Sequence, residues 1–62
     1  MLIWKETAKK IQNARIEKSH TQVELAHRIN EPLEVIAECE SGKKEQNWYV
    51  LEKIEKYLKI KL

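Results

Sequence analysis

The chain is poor in the residues that break or staple a fold. It has one glycine, one proline and one cysteine in 62 residues, which leaves little material for long loops. Cys39 is the only cysteine, so no internal disulfide can form, packing must hold the chain together, and an intracellular setting is expected. No apolar run approaches the roughly 20 residues a spanning helix needs. The opening Met-Leu-Ile-Trp lacks the apolar stretch of a signal peptide, and the expectation is a soluble protein. A single glycine excludes a Gly-rich phosphate loop, and no Ser-His-Asp or Cys-His grouping has a pocket to sit in. His20 and His27 are seven residues apart with no second thiol beside Cys39, a poor match to zinc spacing. A chain this short buries only about 60% of its unfolded surface. Neither an enzyme nor a metal, cofactor, small-molecule substrate or membrane partner is expected.

What is present suits short amphipathic helices. The composition is 42% hydrophobic and 35% charged, and an all-α fold follows. The formal net charge is +2, mildly basic, but the charges are unevenly placed. Residues 1–30 hold six basic and three acidic side chains, residues 43–62 hold the same, and residues 31–42 hold four Glu with no Lys or Arg. An acidic island lies between two basic segments.

The periodicity predicts four helices, near 5–18, 21–29, 33–41 and 47–58, in a single domain over 1–62. Trp4, Ala8, Ile11 and Ala14 or Arg15 recur at steps of three or four on one face of the first, with Lys9, Asn13 and Glu17 opposite. Thr21-Gln-Val-Glu24 is a capping-box sequence that opens the second, with Leu25, Ala26 and Ile29 buried. Asn30-Glu31-Pro32 interrupts it, and Pro32 suits the first turn of a third helix. That helix carries Val35, Ile36 and Cys39 inward and ends at Gly42, a residue suited to the left-handed position. Asn47 caps the last helix, which turns Val50, Leu51, Ile54, Tyr57 and Leu58 inward and the pair Glu52 and Lys56 outward. Ile60 and Leu62 can close the core.

Thr21, Gln22, Leu25, Ala26, Ile36, Glu40 and Gly42, at this spacing across two short helices, resemble the helix-turn-helix of the Cro and phage-repressor family. Ala26 is small where the two helices must cross closely. The resemblance implies an ion pair between Arg15 and Glu40, buried or half-buried; two solvated charges are the alternative.

The likeness extends further. Ile29-Asn30-Glu31, Val35-Ile36-Ala37-Glu38, Glu40-Ser41-Gly42-Lys43, Asn47, Val50-Leu51, Lys53-Ile54-Glu55, Leu58 and Ile60-Lys61-Leu62 together resemble the C-terminal domain of the multiprotein bridging factors. That resemblance implies a transcriptional coactivator of nucleus and cytoplasm, linking a sequence-specific activator to the TATA-binding protein, with the ribosome a further partner in some lineages. Ser19 stands where a glycine is usual, His20 where an apolar residue is usual, Cys39 for an aromatic and Gln46 for a proline. Trp48 and Tyr49 replace polar residues. The exchanges at Ser19 and His20 imply a weaker C-cap on the first helix and a weaker hydrophobic staple before the second. The family's N-terminal region has no counterpart in the sequence.

A DNA-reading third helix would offer Arg, Lys, Gln or Asn to base edges. Here Leu33, Glu34, Ala37 and Glu38 fall at those places, preceded by Glu31, and carboxylates beside a polyanion oppose the counterion-release gain behind non-specific affinity. Glu31, Glu34 and Glu38, with the adjacent aromatics Trp48 and Tyr49, therefore make a candidate protein-partner surface suited to a basic partner. A solvated acidic helix face is the equally open alternative. Thr21, Gln22, Arg28, Lys43 and Lys44 are candidate phosphate contacts, and a DNA-binding regulator of the Cro type is the second functional reading.

Overall fold

A computed structural model describes residues 3–62. Met1 and Leu2, part of the segment read above as lacking a signal-peptide run, lie outside the described residues. The chain forms α1 (Ile3–Glu17), α2 (Gln22–Ile29), α3 (Leu33–Ser41) and α4 (Trp48–Leu58), with no strand among the described residues. This is an all-α helix-turn-helix fold, with α2 and α3 as its pair. Helix α1 starts earlier than the sequence suggested, because nothing between Ile3 and Lys5 caps or breaks it.

Each later helix begins where a side chain or ring favours it. Thr21 Oγ1 accepts from the Glu24 backbone N–H at 3.1 Å while the Thr21 N–H donates to Glu24 Oε1 at 3.0 Å, the two halves of a capping box. Pro32 stands at the N-cap of α3 with φ −61°, one place before the first helical turn assigned to it from sequence. Asn47 Oδ1 accepts from the Tyr49 N–H at 2.9 Å and opens α4.

All four helices stop at a residue in the left-handed region: Ser19, Asn30, Gly42 and Lys59. Only Gly42 adopts it without a steric penalty. A Cβ there would also lie 3.1 Å from the Cα of Lys5 and 3.4 Å from the Cβ of Ala8, so the one glycine also lets the end of α3 approach α1 closely.

The core is one cluster of Ile11, Ala14, Leu25, Ala26, Ile29, Ile36, Cys39, Val50, Ile54 and Leu58, with Val35, Leu51, Tyr57, Ile60 and Leu62 packed on its edge. Ile11, Leu25, Ile36 and Ile54 are wholly buried, each contributing about 2 kcal/mol by the area it removes from water. Trp4 departs from the expected apolar stripe: it is 36% exposed, at the first turn of α1. Glu52 and Lys56, one turn apart, do not close into the expected ion pair; the salt bridges found join Arg15 to Glu40, Lys44 to Glu38 and Lys53 to Glu31.

Candidate interaction surface

Helix α3 packs on α1 and α2, and its polar side chains divide into those that face inward and those that face water. Glu40 is buried and its carboxylate is fully engaged. Arg15 Nε donates to Oε2 at 2.7 Å, Arg15 Nη2 to Oε1 at 3.0 Å, and Gln22 Nε2 to Oε1 at 3.1 Å. The same guanidinium donates through Nη1 to the His20 carbonyl at 2.7 Å. One bidentate pair thus ties α1 to α3 and to the turn before α2. The C-terminal carbonyls of α3, which a helix leaves unpaired, receive side-chain amides: Gln12 donates to the Glu40 carbonyl at 2.7 Å and Gln46 to that of Cys39 at 3.0 Å. Gln46 also donates to the Trp4 carbonyl at 2.8 Å.

Cys39 lies in the same inner face. Burial, and then the negative charges of Glu38, Glu40 and Glu31, push its thiol pKa up to about 11, so it remains a protonated core residue near neutral pH. His20 stacks on Tyr57 with ring centroids 5.7 Å apart, and its Nε2 lies 2.7 Å from the Tyr57 hydroxyl. This link fastens the turn before α2 to α4. Among the described residues no group of three or more His, Cys, Asp or Glu is placed to hold a metal.

The outer face of α3 shows Leu33, Glu34, Ala37 and Glu38 to solvent. Glu31 is not part of it. Its carboxylate is half-buried and accepts from Lys53 Nζ at 2.6 Å, which holds the Lys53 ammonium above the usual lysine pKa. Lying before the helix, Glu31 is drawn toward α4 instead of outward. Trp48 and Tyr49 both stand out from the surface, 72% and 55% exposed, in an edge-to-face pair with centroids 6.2 Å apart. Glu38 and Trp48 line one cleft of about 500 Å³ with Glu45, Gln46, Asn47 and Lys44. Lys44 Nζ is 3.6 Å from Glu38 there, an exposed pair worth little.

The five candidate phosphate contacts are scattered. Gln22 points its amide at Glu40, and the Thr21 hydroxyl oxygen accepts from the Glu24 N–H in the capping box. Arg28 lines a groove with Ile29, Lys53, Lys56 and Tyr57, while Lys44 lines the cleft beside Trp48. Lys43 is exposed after α3. The roles of Gln12, Gln46, His20 and Lys53 were not read from sequence. Each partner lies seven or more residues away, beyond the reach of helical periodicity.

No protein-family model matches the chain. Over 57 residues, 92% of its length, the chain is 51% identical to multiprotein-bridging factor 1b of Arabidopsis thaliana. It is 50% identical to multiprotein-bridging factor 1c of the same plant over 52 residues, 84% of its length. The chain is a relative of the multiprotein-bridging factors. The human endothelial differentiation-related factor 1 matches as well, at 47% identity over 57 residues. The chain spans 35%, 40% and 38% of the length of the bridging factors 1c and 1b and of the human relative, respectively.

The structure shows how the chain accommodates its departures from the multiprotein-bridging pattern. Ser19 takes the left-handed position with φ 59°, its N–H donating to Ile16 at 2.8 Å and that of His20 to Arg15 at 3.0 Å. The Schellman geometry is therefore complete without glycine, at a cost of about 1 kcal/mol for the Cβ. His20 makes no apolar staple and engages Tyr57 instead.

Proposed function

We propose that this chain is the helix-turn-helix portion of a transcriptional coactivator, an adaptor that binds proteins and has little or no sequence-specific affinity for DNA. One observation carries the reading: α3 offers Glu34 and Glu38 to solvent, with exposed Trp48 beside Glu38, where a DNA reader needs donors for base edges and cations for phosphates. The face suits a basic protein surface, with the aromatic ring as a contact of low conformational cost. The kinship with the multiprotein-bridging factors supports it. The partners it implies are the TATA-binding protein and a sequence-specific activator, with action in the nucleus. That no helix among the described residues is long and apolar enough to cross a membrane accords with such a role.

The test is a titration of the chain, at low and then moderate salt, against purified TATA-binding protein and random duplex DNA. Saturable binding to the protein alone is expected, lost on reversing Glu34 and Glu38 to Lys. Salt-sensitive DNA binding without protein binding would replace this proposal with the DNA-binding regulator, using Arg28, Lys43 and Lys44.

A further inference from the structure

Arg28, Lys53 and Lys56 stand around a shallow groove of about 380 Å³ between α2 and α4, floored by Ile29 and Tyr57. We propose that this groove is a second docking surface, taking an acidic segment of a partner protein in which carboxylates alternate with apolar side chains. Three observations fit that occupant. Three of the neighbouring carboxylates are already engaged, Glu24 in the capping box, Glu31 on Lys53, and Glu55 Oε2 with the Leu62 N–H at 2.7 Å, while Glu52, one turn before Lys56, is exposed and pairs with no cation among the described residues. Arg28 and Lys56 are exposed and have no carboxylate within ion-pair distance among the described residues. The floor is apolar.

The two free cations match carboxylates, with Arg28 able to take one bidentately, while the half-buried Tyr57, beside the buried Ile29, leaves apolar area for a side chain between them to cover. A nucleic-acid backbone would satisfy the cations and leave that floor uncovered. Glu34 and Glu38 do not line the groove, so it is separate from the acidic face and of opposite sign. This second surface goes beyond the adaptor reading and does not depend on which protein the acidic face binds.

The test is fluorescence polarisation of a short fluorescein-labelled peptide in which Asp alternates with Leu, titrated with the whole chain at low and physiological salt. Saturable binding is expected, weakened about tenfold by Arg28→Glu with Lys56→Glu and weakened less, in the same direction, by the bulk-preserving Arg28→Gln with Lys56→Gln. It is expected to persist in Glu34→Lys with Glu38→Lys, the variant on which the adaptor reading stands or falls, so the two fail separately. Absence of saturable binding, equal binding of a peptide with Asn for Asp, or indifference to the groove variants would overturn the proposal. Displacement of the peptide by random duplex DNA with a steep salt dependence would make the groove a nucleic-acid surface instead.

Discussion

The two faces of α3 carry the same kind of side chain to different ends. Glu40 on the inner face is 5% exposed and accepts three hydrogen bonds from two other helices. Among the described residues, Glu34 and Glu38, on the outer face of the same nine-residue helix, accept none from other helices; Glu38 pairs with Lys44 at 3.6 Å. What separates a structural carboxylate from an available one is the partner, since a buried charge persists only when paired and a solvated one needs no pair.

If that difference is real, the inner face fails first. Glu40→Ala or Arg15→Ala leaves the other charge in a site 14% exposed at most, at a cost on the order of 3 kcal/mol. For a domain of this size that lowers the melting temperature by about 15 °C. A double-mutant cycle by thermal denaturation should show strong coupling between the two; additive losses would put Glu40 on a level with Glu34.

Cys39 sharpens the contrast at alkaline pH. The thiol ionises near 9.0 in the unfolded chain and about 11 when folded. The folded state thus holds a proton that the unfolded state releases. Its stabilising contribution is whole below pH 9 and is lost as pH rises through 11, a loss on the order of 3 kcal/mol. In the native state a disulfide reagent at pH 8 should modify Cys39 about 100-fold more slowly than in denaturant; equal rates would place the thiol outside the core. A smaller effect belongs to Gln22→Ala, which removes one hydrogen bond to a carboxylate still held by Arg15, at about 1 kcal/mol in chemical denaturation.

The inner face was legible in the sequence because local rules produce it. The apolar spacing of Leu25, Ala26, Ile29 and Ile36, the capping box at Thr21 and the left-handed stop at Gly42 are each set within a few residues. The Arg15–Glu40 pair was legible only through resemblance, since 25 residues separate its members. The pairing of Glu31 with Lys53, 22 residues on, leaves no trace in periodicity, so the sequence grouped Glu31 with Glu34 and Glu38. Gln22 read as a phosphate contact because position alone put it at a helix N-terminus; its amide is turned to Glu40 by a contact across the fold. Local patterns therefore gave the scaffold, and long-range pairing decided which polar groups stayed free.

The smallest stability effect falls on the outer face, and it is the most informative for function. Glu34 sits in the first turn of α3, where the helix dipole favours a negative charge, and Glu38 has only its weak exposed pair with Lys44. Reversing both to Lys should shift the melting temperature by less than about 3 °C. The same variant should weaken binding to the TATA-binding protein about tenfold or more, because a repulsive charge replaces an attractive one at the contact. A large fall in melting temperature would mean that both carboxylates serve the fold and that the two faces of α3 do not differ. Intact folding with unchanged affinity would leave the face solvated and remove it from the adaptor's surface. Intact folding with lost affinity is the outcome that the division of α3 requires, since a surface kept for a partner is one the fold does not need.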